Sequence, residues 1–105
     1  MRPIHLTHLE KTRPAVVLTR ERAASSMTRI TVAPITTTVR GLSTEVPVGP
    51  ANGLDQTGVV SCDNLQTVHV DDVGRRVGYL LDTQEGEFAA ALVNAFDLRV
   101  EDLEP

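Results

Sequence analysis

Residues 32–48, VAPITTTVRGLSTEVPV, hold the densest group of side chains able to grip an anion. Thr36, Thr37 and Thr38 follow the apolar, β-branched Val32 and Ile35. Arg40-Gly41 then reverses the chain into Thr44-Glu45-Val46-Pro47-Val48. Three hydroxyls and a guanidinium at the end of a strand have the chemistry of a phosphate site. In an extended strand Thr36 and Thr38 share a face while Thr37 takes the other, so at most two of the three serve one site. Arg40 fits equally as a turn residue and as a phosphate contact.

Arg13, in Arg13-Pro14, needs a partner across the sheet to be more than a surface charge. Sequential strands tend to pair, which brings the start of the second strand to the end of the third, and Arg13 to Thr36. A guanidinium and a hydroxyl converging on one phosphate form a minimal phosphoryl-transfer site that needs no metal. A second polar cluster runs from Ser61 to Thr67. Its Asp63, Asn64, Gln66 and Thr67 serve as turn chemistry, or offer amides and hydroxyls to the base edges of single-stranded RNA. Cys62 reads as a small buried residue. Two histidines can cleave RNA by acid–base catalysis, but His5 and His8 fall on opposite faces of a strand and His69 stands alone. All three are read as surface or satisfied residues, and no spacing of His, Cys and Asp resembles a metal site.

Short strands must position these groups. Residues 4–7 alternate as a half-buried strand does. Residues 15–19 form an apolar run after Pro14, which belongs at a strand start or on an edge because it donates no ladder hydrogen bond. Thr28, Ile30 and Val32 share one face of the third strand, and Val46 and Val48 belong to the fourth. After a loop closed by Asn52-Gly53 come strands at 58–62, 67–70 and 77–81. Asp82, with Glu85 three residues on, suits a helix N-terminus. Phe88, Leu92 and Phe96 then recur every four residues as the apolar stripe of a closing helix. Many short strands and one terminal helix predict a mainly β fold, a small barrel capped by helix. The tail, residues 101–105, is expected to fray.

A chain of 105 residues has room for one domain and gains from dimerising. No apolar run approaches the roughly 18 residues of a membrane span, and the N-terminus lacks the apolar core of a signal peptide. The single cysteine fits a reducing cytoplasm. The net charge of −4 argues against nonspecific nucleic-acid binding, but it is unevenly spread. Residues 1–50 carry +4 and residues 51–105 carry −8. The basic half contains the hydroxyl-rich turn, so a local positive face can attract a phosphate chain. With only Tyr79, Phe88 and Phe96 as aromatics, a passive base-stacking platform is not expected.

Taken in order, these pieces resemble the MazF/PemK family of toxin endoribonucleases. The resemblance rests on Arg13-Pro14, Pro34-Ile35-Thr36, Arg40-Gly41, Thr44-Glu45-Val46 and Val60-Ser61-Cys62-Asp63-Asn64. It continues through Gln66-Thr67-Val68 and Gly78 to Ala91-Leu92 and Phe96-Asp97-Leu98, covering nearly the whole chain. It implies an SH3-like barrel and a homodimer neutralised by a cognate antitoxin with an acidic, disordered C-terminal segment. It also implies metal-independent, cofactor-free, sequence-specific cleavage of single-stranded RNA. The family's catalytic pair falls on Arg13 and Thr36. Lys11, Thr37, Thr38, Arg40, Asn64, Gln66 and Thr67 are the expected RNA contacts. The chain departs from the family where only residues 8–12 stand between the first strand and Arg13, in place of a longer Gly-rich loop. Two alternatives share the fold: a gyrase-poisoning toxin, whose Trp-Gly-Ile ending is absent here, and a noncatalytic RNA-binding module.

Overall fold

The structure, a computed structural model, describes residues 1–99; the tail expected to fray lies outside the described residues. Seven strands form one antiparallel sheet curled into a half-barrel. They are β1 (Arg2–His8), β2 (Thr12–Val17), β3 (Arg29–Thr36), β4 (Glu45–Val48), β5 (Gly58–Ser61), β6 (Gln66–His69) and β7 (Val73–Leu80). A four-residue helix α1 (Glu21–Ala24) joins β2 to β3, and α2 (Glu85–Phe96) closes the described chain. The strand order is β4-β5-β3-β2-β1-β7, with β6 also on β3. The mainly β fold with a C-terminal helix agrees with the sequence reading.

β3 organises the sheet. One edge pairs with β2 (Ala15↔Pro34, Val16↔Ala33, Val17↔Val32). The other pairs first with β6, through Arg29 to Val32, and then with β5, through Ile35 and Thr36. Pro34, which has no N–H to donate, falls in the gap between these two stretches, where a proline costs no ladder bond. The switch of partner curls the sheet and divides the interior. Ile4, Val16, Ile35, Val46, Val60, Leu80 and Phe88 centre the larger cluster, and Ala15, Val17, Ile30, Val32 and Val68 the smaller. The β5 start lies hard against β3, since a Cβ on Gly58 would collide with the Thr36 carbonyl oxygen.

The structure departs from the sequence reading at several elements. The alternation of residues 4–7 breaks, because register shifts flank His5 in the β1–β7 ladder. Thr7 is therefore buried in place of Leu6, its hydroxyl donating to the His5 carbonyl at 3.0 Å. β2 begins at Thr12 and stops at Val17, so Arg13 and Pro14 lie inside it. β7 begins at Val73, four residues before the apolar signal. Asp82 does not cap α2. It pairs with the N-terminal amine at 2.8 Å, and Glu85 with Arg2 at 2.7 Å, while Gln84 accepts the Leu81 N–H and closes the 3-10 turn before the helix. Phe88 and Ala91 are buried, but Phe96 is 54% exposed: the stripe leaves the core near the helix end.

Asn52 is the best-connected buried polar side chain. Its oxygen accepts the Gly49 N–H at 3.1 Å, and its amide donates to Tyr79 O at 2.9 Å and Gln84 Oε1 at 2.7 Å. It ties the β4–β5 connection to β7 and to the base of α2. Replacing it by alanine strands three partners, so Asn52→Ala is expected to lower unfolding stability by about 2–3 kcal/mol in urea. Ser26→Ala, at an exposed hydroxyl bonded to Ala23 O, is expected to stay within about 0.5 kcal/mol of the wild type.

Candidate active site

Extending the β2–β3 register by one inward-facing step sets Arg13 opposite Thr36. Both line a cleft of about 550 Å³ where the start of β2, the end of β3 and the β5–β6 turn converge. Thr38, Arg40, Asn64 and Gln66 line it too. The structure thus gathers six of the nine site residues read from the sequence. Thr36, the last residue of β3, and Thr38 line the cleft, while Thr37 lines a second hollow that Thr36 also borders. Lys11 is exposed in the β1–β2 hairpin and Thr67 on β6, its hydroxyl 3.2 Å from that of Thr31; neither lines the cleft.

The Arg13 side chain is about one-fifth exposed. Nη2 sits 3.3 Å from Glu10 Oε1, while Nε is buried with no hydrogen-bond partner among the described residues. A buried, unpaired donor on a cation costs about 1–3 kcal/mol or more, and an anion entering the cleft can relieve that cost. The Thr36 hydroxyl accepts the Thr38 N–H at 3.1 Å. Its oxygen is thereby fixed, and its own proton stays free to donate.

Carboxylates crowd this site as well. Glu45 accepts the N–H groups of Arg40, Gly41 and Leu42, the shortest at 2.8 Å from Gly41. Gly41 takes a left-handed φ of 74° that lets the loop fold over this carboxylate. Asp63 accepts the Thr44 hydroxyl at 2.5 Å, and Glu10 faces Arg13. Each acid thus has a partner within the protein, and the guanidiniums of Arg13 and Arg40 remain the charges most available to an incoming anion. Glu10, Glu45 and the buried Ser61, which accepts from Asn64 Nδ2 at 2.7 Å, are lining residues that the sequence reading missed. An acid five residues past Arg40 across a Gly turn was the signal for Glu45.

No histidine lines the cleft. His5 Nδ1 lies 2.8 Å from Gly74 O, and His69 Nδ1 accepts the Asp71 N–H at 3.1 Å. Among the described residues no three His, Cys, Asp or Glu side chains gather to hold a metal ion, and no helix is long and apolar enough to cross a membrane. Cys62 is buried beside the cleft. Burial pushes its thiol up to about 11, and the neighbouring Asp63 carboxylate adds to the shift. The raised value keeps the sulfur protonated and poorly nucleophilic near neutral pH. Iodoacetamide at pH 8 is therefore expected to leave the folded protein unlabelled over an hour and to label the urea-unfolded chain fully, as mass spectrometry can read.

The half-barrel, the closing helix and the polar cleft at the sheet end together have the architecture of the small β-barrel toxins. The structure superposes on the Mycobacterium tuberculosis toxin MazF-mt6 with a TM-score of 0.92 and 60% identity, covering 93% of this chain and 99% of that one. Endoribonuclease MazF3 of M. tuberculosis is 61% identical over 93% of this chain and 95% of its own length. Probable endoribonuclease MazF5 of the same species is 37% identical over 81% of this chain and 79% of its own. The chain belongs to the family of PemK-like, MazF-like toxins of type II toxin-antitoxin systems, whose model matches residues 3–96.

Proposed function

We propose that this protein is a toxin endoribonuclease that cuts single-stranded RNA at the Arg13–Thr36 cleft without a metal ion. The observation that carries the reading is the unpaired, buried Arg13 Nε opposite the fixed Thr36 hydroxyl. The names of the two curated M. tuberculosis relatives support the same activity.

With RNA in the cleft, the ribose 2′-hydroxyl attacks the adjacent phosphorus as the bond to the 5′-oxygen breaks. The 2′-hydroxyl gives its proton to solvent, and the departing oxygen takes one back. The products are a 2′,3′-cyclic phosphate and a 5′-hydroxyl. Negative charge grows on the nonbridging oxygens at the pentavalent stage, and donors set for that geometry stabilise it most. Arg13 supplies the cation, and Thr36 donates its hydroxyl to one nonbridging oxygen. With a pKa above about 12, a guanidinium is a poor general base, so Arg13 acts electrostatically. Glu10 orients it. Arg40, Thr38, Asn64 and Gln66 hold the flanking RNA inside the cleft, and Lys11, Thr37 and Thr67 contact it beyond the cleft.

The active species is a cytoplasmic homodimer. Val39, Leu42, Phe96 and Leu98 are 46–60% exposed, and the Asn94–Ser43 hydrogen bond (3.3 Å) draws the end of α2 to the loop bearing the first two. An exposed apolar patch of this kind suits a second copy. The cognate antitoxin presents an acidic, disordered segment to the guanidiniums of Arg13 and Arg40 and excludes RNA from the cleft.

Purified protein is expected to cut a long unstructured RNA in EDTA, leaving cyclic-phosphate and 5′-hydroxyl ends. Arg13→Ala and Thr36→Ala are each expected to lower the rate by about 10²–10³. Cleavage at wild-type rate by both variants, or an absolute need for added divalent metal, contradicts the proposal.

A further inference from the structure

Thr36 has a cavity on either side of it. One is the cleft just described, and the other is the hollow of about 290 Å³ that receives Thr37. Leu6, Pro14, Ile35 and Leu54 give this hollow apolar walls. Asp55, Gln56 and Thr57, in the β4–β5 connection, supply polar groups at its edge. The volume lies at the small end of ligand pockets, the scale of one planar ring rather than a dinucleotide.

Apolar walls with a few hydrogen-bonding groups at one edge match the needs of a splayed-out nucleobase, whose faces pack and whose edge is read. The placement fits as well. Pro14 follows Arg13 directly, and Thr37 follows Thr36, so each half of the catalytic pair has its chain neighbour in the hollow. The polar segment is held in place at both ends. Gly58 sits against the Thr36 carbonyl too closely for any Cβ, and Asn52 anchors the preceding turn to β7 and Gln84. A base in this hollow therefore sits at a set distance from a phosphate held by Thr36.

We propose that the hollow receives the base of one nucleotide flanking the scissile phosphate, and that Asp55 and Gln56 read its edge. This rests on the endoribonuclease reading above. A carboxylate accepts hydrogen bonds and opposes carbonyl oxygens, so Asp55 favours bases with an exocyclic amino group over uracil. Gln56 offers both a donor and an acceptor and fixes the orientation of that edge. Asp55 and Gln56 are specificity residues and take no part in bond breaking.

The test is to sequence the 5′ ends released from RNA randomised around the cut by wild type, Asp55→Asn and Gln56→Ala. The wild type is expected to select against uracil at one of the two flanking nucleotides. Each variant is expected to weaken that selection about tenfold while selection at more distant positions persists. Unchanged selection at both flanking nucleotides, or a uniform loss of cutting on every sequence, overturns the inference and leaves the endoribonuclease reading standing. A wild type that cuts no RNA overturns both.

Discussion

The β2–β3 register governs this molecule. It sets Arg13 and Thr36 opposite each other, on two strands whose inner residues, Ala15, Val16, Val32 and Ala33, are buried. Val16 and Ala33 face the larger apolar cluster, and Ala15 and Val32 the smaller. A slip of one residue would exchange the two sets and send Thr36 to the wrong face. The apolar core therefore enforces the geometry of the polar site. β3 can end in a cleft because it exchanges β6 for β5 around Pro34, curling the sheet away from its last residues. The site lies where the ladder opens but the strands are still held.

The electrostatics follow from local pairing more than from overall charge. The chain is acidic, and its cleft contains three carboxylates. Glu45 is taken up by three backbone amides, Asp63 by the Thr44 hydroxyl, and Glu10 by Arg13 itself. These contacts turn acids that would repel an anion into supports for the loop, for the turn and for the guanidinium. The Glu10 pair is exposed and weak, so a phosphate can displace it, whereas the Glu45 contacts hold the loop that presents Arg40.

Much of this was legible in the sequence because it depends on rules of short range. β-branched runs and turn residues mark the strands, and the tendency of sequential strands to pair brings Arg13 to Thr36. Thr36 and Thr38 line the cleft and Thr37 does not, as alternation expects, although Thr36 also borders the hollow that Thr37 lines. What was not legible depends on contacts between distant segments. The bulge that buries Thr7 arises from pairing with β7, more than sixty residues away. The start of β7 carries Gly74, Arg75 and Arg76 with no apolar alternation, and only the β1 ladder makes it a strand. Asp82 and Glu85 look like helix caps, yet the N-terminal amine and Arg2 take them. Helix α1 has no buried residue, so no hydrophobic period announces it. Glu45 reads as a strand residue and is one; its second role appears only when the loop folds back onto it.

The central claim is that Arg13 and Thr36 act on one phosphate as a unit. A double-mutant cycle on the single-turnover cleavage rate tests it most directly, using Arg13→Ala, Thr36→Ala and the double variant. Groups that serve one transition state lose their effect together. The account predicts a double variant no more than about tenfold slower than the slower single variant, a coupling of about 1.4 kcal/mol or more. Losses that multiply in full would show that the two residues act independently, and would contradict the account.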